Sequence, residues 1–247
     1  MRNKLGSYPE RTNISSQTLF HFTDSYDVIE KILSPSSDHK ISGFKFSKIY
    51  EKIPGTKLAY FVDSVSFCDI PLSMVKNHVN WYGAYAIGIK CSAIKALGAS
   101  PVYYSHSKTV GIPHNISSHS IEFYKDIPWF TSRLKQFYGK QVFDDNGILS
   151  FKNRKFYNER EWRIVGNMGQ IEVIQYKNEK ELIQYKNSLI PNALPNVEVD
   201  IDDIEYIILE KSHDLESFAA FLGLHYPGLQ NKFMSKVLLY DKLKKDL

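Results

Sequence analysis

The feature that most constrains the fold is the length and texture of the apolar runs. They are strand-sized stretches of β-branched and aromatic residues, and segments with helical spacing lie between them. None approaches the ~18 apolar residues that a membrane-spanning helix needs. Gln17 to Thr23 reads as a strand, and Asp24 opens a helix to about Leu33 with Val28, Ile29, Ile32 and Leu33 on one face. Ser34-Pro35 ends it, and a loop with one short strand is expected as far as Gly55. Leu58 to Phe67 is a second strand, Leu72 to Trp81 a helix broken by Gly83, and Ala84 to Ile89 a buried strand. A short helix from Ser92 to Leu97 stops at Gly98, and Pro101 to Tyr104 is again strand-like.

The polar stretch Ser105–Ser118, followed by an interrupted helical pattern from Ile121 to Tyr138, places an insertion with a helix at 105–155. Asn158–Val165, Gln170–Tyr176, Ile204–Glu210 and Lys236–Tyr240 are further strands, with a helix from Asp214 to Leu222. The expected class is α+β: one domain over 14–247, with a central, twisted, mainly antiparallel sheet flanked by helices, after a flexible terminus at 1–13. The pentapeptide Ile174-Gln-Tyr-Lys-Asn178 returns at Ile183–Asn187, too few copies for a repeat architecture. The closing lysines, Lys242 to Lys245, read as a solvated tail.

With 247 residues, 43% of them hydrophobic, the chain can bury a sizeable core, which excludes disorder as its main state. Two cysteines without C-x-x-C spacing suggest neither a disulfide scaffold nor a cysteine zinc site. With no apolar leader visible, a soluble cytoplasmic protein without membrane attachment is expected. A net charge of +4 permits a nucleic-acid partner without indicating one.

Glu159-Arg160-Glu161-Trp162-Arg163 is the sharpest local feature. Strand alternation puts Glu159, Glu161 and Arg163 on one face, with Arg160 and Trp162 on the other. In a cleft one carboxylate can hold a sugar hydroxyl while the other orients an acceptor; on a solvated face the same residues are an ion-pair ladder. His21, with Thr23 beside it, can face a pocket at a strand end or be a satisfied core histidine. Ser64 and Ser66 can line a cleft, and Trp81 and Tyr82 can stack on a ring or pack in the core. His106, His114, His119 and Asp126 match no common metal spacing, so no metal is expected there. Magnesium on Asp63, Asp69, Glu159 and Glu161 is a weaker possibility. The sequence has no P-loop, dinucleotide, serine-hydrolase or zincin signature.

Taken together, Thr18–Thr23, Val65–Ser73 with Phe67-Cys-Asp-Ile-Pro-Leu-Ser73, His78, Tyr82–Ile89 and Glu159–Arg163 resemble the AbiGi family of bacterial abortive-infection proteins from about residue 18 to 165. That resemblance implies a role in phage defence as antitoxin partner of a nucleotidyltransferase-like toxin. No helix-turn-helix pattern with a basic recognition helix supports a repressor. A more distant likeness is to ADP-ribosyltransferases, implying a fold of that kind, NAD as substrate, and a nucleic acid or protein acceptor. By that likeness His21 holds the nicotinamide ribose and Ser64 and Ser66 line the pocket. Trp81 or Tyr82 stacks on the ring, Thr23 and Arg163 complete the cofactor side, Glu161 grips the ribose 2′-hydroxyl and Glu159 orients the acceptor. The likeness therefore predicts a cleft joining His21, Ser66 and Glu161.

Overall fold

The computed structural model describes residues 17–37, 39–106, 120–145, 148–167, 171–189 and 193–246. The first half of the chain supplies β1 (Thr18–Thr23), α1 (Tyr26–Leu33), β2 (Pro35–Ser37), β3 (Lys40–Phe44), β4 (Ser47–Lys52), β5 (Leu58–Cys68), α2 (Val75–Tyr82), β6 (Tyr85–Lys90), α3 (Cys91–Ala96), β7 (Ser100–Pro101) and β8 (Tyr103–Ser105). The middle supplies α4 (Ser120–Asp126), α5 (Pro128–Thr131), β9 (Leu134–Gln136), β10 (Tyr138–Asp145), β11 (Ile148–Lys155), β12 (Glu161–Val165) and β13 (Glu172–Gln175). The rest is α6 (Glu179–Ser188), β14 (Val197–Asp200), β15 (Ile204–Leu209), α7 (Asp214–His225), α8 (Gln230–Met234), β16 (Val237–Leu239) and α9 (Tyr240–Asp246).

Among the described residues, nine strands form the main sheet, in the order β16-β15-β6-β1-β5-β12-β7, with β4 and β13 also paired to β5. Every pairing in it is antiparallel except β15 with β16. The class is thus mixed α+β, as the run lengths require. Helix α1 presents Ile29, Ile32 and Leu33 to the sheet at spacings of three and four, and α7 adds Phe218, Phe221 and Leu222. With Leu19, Phe67, Ile87 and Ile207 they form the larger core on one face. Phe20, Ile70, Val75 and Ile208 form a smaller one on the other.

Strand β5 organises the sheet. Its first half pairs β4, Ser64 opposite Ser47, and β13; its second half pairs β12, and meets β1 through Phe20 opposite Cys68. On one edge, β1 and β4 therefore diverge around Ser66. That divergence is where a pocket opens.

Several local expectations need correction. The region read as loop holds three strands, β2 to β4. The strand expected from Asn158 begins only at Glu161, because Phe156–Glu159 is a 3₁₀ turn and Arg160 turns left-handed at φ 45°. The helical pattern over Ile121–Tyr138 ends at Thr131 and gives way to β9, and the Pro101–Tyr104 strand splits between two sheets. The closing lysines lie on α9 instead of in a tail. Positions 1–13, His114 and His119 fall outside the described residues.

Candidate functional site

A cavity of about 420 Å³ opens where β1 and β4 part, and His21, Ser66, Tyr82, Glu159, Glu161 and Arg163 are among its lining. Thr23, Ser64 and Trp81 do not line it. Ser64 is 1% exposed because β4 and β12 flank it on both edges, and Thr23 lies at the far end of β1 opposite Tyr85. Trp81 faces the guanidinium of Arg154, 4.4 Å from its ring centre, and Arg154 also lies 4.7 Å from that of Tyr82. The aromatic faces expected to stack on a ligand ring thus already hold a cation from the β10–β11 hairpin.

On β12, Glu161 and Arg163 do share a face, while Trp162 packs against the larger core. The set is neither a solvated ladder nor an open acid pair. Glu161 Oε1 accepts from Ser66 Oγ at 2.6 Å and Arg163 Nε at 2.6 Å. Its Oε2 accepts from Lys135 Nζ at 2.8 Å and Arg163 Nη2 at 3.0 Å. A carboxylate offers about four lone-pair positions, and here all are used. Arg163, fully buried, spends its remaining N–H groups on Tyr60 Oη at 2.7 Å, the Ser132 carbonyl at 3.1 Å and Glu51 at 2.6 Å. Lys135 also meets Glu159 at 2.8 Å and Glu51 at 3.2 Å, and Arg154 Nε lies 3.2 Å from Glu159. Three carboxylates thus face three cations.

Burial would raise the Glu161 carboxyl, but Arg163 and Lys135 outweigh it and hold it far below the usual carboxylate range. Glu159 goes the other way, since its burial exceeds the pull of Lys135. His21 donates from Nδ1 to the Ser66 carbonyl at 2.9 Å, the group left unpaired where β1 leaves β5. Burial lowers its pKa, so the ring is neutral.

Sequence reasoning missed Glu51, Tyr60, Lys135 and Arg154. One signal was available: two acids and a single arginine expected on one face of Glu159–Arg163 require a further cation from elsewhere if that face is buried. Among the described residues, no group of three His, Cys, Asp or Glu could hold a metal ion. Asp63 pairs with Lys48 and Asp69 with Arg160.

Fold and site define an α+β protein whose sheet carries a charged cavity with its polar groups tied to one another. Residues 56–210 match the family described as "Putative abortive phage resistance protein AbiGi, antitoxin", and the chain belongs to that family. No curated protein and no solved structure matches it. No described helix is long and apolar enough to cross a membrane.

Proposed function

We propose that the chain acts in phage defence by binding and restraining its cognate toxin without chemistry of its own. The observation that carries this reading is the saturated carboxylate of Glu161. A sugar hydroxyl can reach it only by displacing Lys135, Ser66 or Arg163, which is how a stabilising network behaves, not a waiting catalyst. The docking surface is the face of the β8–β9 ribbon where Tyr103, 43% exposed, and Trp129, 56% exposed, flank Phe130. Exposed aromatics grouped in this way are the usual anchors of a protein interface. The nucleotidyltransferase-like toxin is their occupant. Co-expressed with it, the wild type is expected to copurify and restore growth. Trp129→Ala should weaken the complex by about 2 kcal/mol, roughly 30-fold by titration calorimetry. A Trp129→Ala affinity equal to wild type would remove that surface from the account.

A second reading, an ADP-ribosyltransferase-like effector that consumes NAD to modify a nucleic acid or protein, is favoured by one observation. A single cavity unites His21, Ser66, Tyr82 and Glu161, which come from four separate segments. In that reading Lys135 would swing away as ribose arrives, leaving Glu161 to stabilise the sugar's developing positive charge. Nicotinamide release in infected-cell extract separates the two. Restraint predicts none from wild type, and toxin binding unchanged in His21→Ala. Turnover abolished by Glu161→Gln, with NAD binding retained, would install the transferase reading instead.

A further inference from the structure

The opposite face of the β8–β9 ribbon carries a second aromatic group of different character. The Phe137 and Tyr157 rings stack at 4.8 Å and 17°, Tyr104 stands edge-on to Tyr157 at 5.5 Å, and Tyr138 edge-on to Phe137 at 4.7 Å. Tyr138 is 55% and Tyr157 49% exposed. The ammonium of Lys155 lies between 5.4 and 5.9 Å from the ring centres of Phe137, Tyr138 and Tyr157. Lys140 extends the row to the cavity, whose wall it joins with Gln136. Pairing of Tyr138 with Lys155 and of Lys140 with Asn153 puts these four on one face of the hairpin, with Arg154 on the other.

Lys140 and Lys155 are exposed on this face, whereas Lys135 and Arg154 are buried against Glu51, Glu159 and Glu161, and Arg160 pairs with Asp69. Exposed rings with Lys155 over them and Lys140 further along the same face suit a chain of planar bases joined by phosphates. Every base has a face to stack, and each lysine can neutralise a phosphate. A rigid duplex hides its base faces and would gain only the charge component.

From this we infer that the Phe137, Tyr138, Tyr157 and Lys155 surface is a binding platform for single-stranded nucleic acid, on a face separate from the Trp129 docking surface. It depends on neither reading of the cavity, because the assay contains no NAD and no toxin. Fluorescence anisotropy with labelled twelve-nucleotide oligo-U and oligo-dT, at 50 and 200 mM salt, tests it; the two strands show whether ribose or deoxyribose is preferred, and binding of either supports the platform. Tyr157→Ala and Tyr138→Ala should each weaken binding roughly 5- to 100-fold, and Tyr157→Trp, which keeps a stacking face, should bind like wild type. Lys155→Ala should make the slope of log K against log salt shallower by about 0.7. Absence of binding at 50 mM salt, equal affinity for a duplex of the same length, or tyrosine variants that bind like wild type with unchanged melting temperature, would each overturn it.

Discussion

Arg163→Met is expected to lose about 3–5 kcal/mol of unfolding free energy at pH 7, because it removes one partner of a buried ion set and leaves the others in place. The guanidinium is fully buried and meets Glu161 through two of its nitrogens and Glu51 through one. Tyr60 depends on it too, since its hydroxyl donates to the Leu134 carbonyl at 2.6 Å while accepting from Arg163. Without Arg163, Lys135 and Arg154 would face three carboxylates, and Glu51 and Glu161 would keep Lys135 as their one cation in the set. Adding Glu161→Gln to Arg163→Met removes one stranded charge, so the double variant should regain at least about 1 kcal/mol. Urea unfolding of the four proteins measures this. A cost below about 1 kcal/mol for the single variant would mean that the network is incidental to stability.

Acid should weaken the fold as pH falls below about 6.5, and His78 is the main cause. Its ring sits between Phe22 at 5.4 Å and Tyr82 at 5.7 Å, with Nε2 buried and without a hydrogen-bond partner. Burial, then Arg154 and Lys135, push its pKa down to about 4. The unfolded chain binds a proton near 6.5 that the folded chain refuses until about 4, so the stabilising contribution is whole above 6.5 and lost as pH falls towards 4. At pH 4.5 the loss amounts to about 2–3 kcal/mol. His21, lowered by burial, acts in the same direction. Glu161 follows at lower pH: its depressed pKa means stability present above the unfolded carboxylate value and lost below it. His78→Phe should flatten the profile between pH 6.5 and 4.5 without loss at pH 7. Urea midpoints at both pH values decide it, and equal acid losses in wild type and variant would place the sensitivity elsewhere.

Strands β1, β5 and β6 and helices α1 and α7 were legible because each carries its own period and stop signal. The pentapeptide Ile-Gln-Tyr-Lys-Asn shows where that ends. Ile174 and Gln175 close β13, whereas Ile183–Asn187 lies inside α6. The pentapeptide is end of strand and loop in one copy and helix in the other because tertiary neighbours decide: Ile174 pairs opposite Ala59, while the second copy follows an Asn178 cap. Of the site, His21, Ser66, Glu161 and Arg163 were legible from strand alternation, whereas Thr23 and Ser64, on the same strands at the same spacing, lie outside the cavity. Lys135 and Arg154 were not legible, since β9 is three residues long and the hairpin reaches the cavity only through tertiary contact.

The position of β5 also has a consequence for synthesis. Strand β1 sits mid-sheet between β5 and β6, yet the carboxylate that Ser66 serves comes 95 residues later in the chain. Glu51 waits 112 residues for Arg163. A nascent chain therefore has β1, β4 and β5 of the cavity long before it has the Glu161 and Arg163 of β12. A truncated product ending before Glu159 lacks both, whatever sheet it has formed.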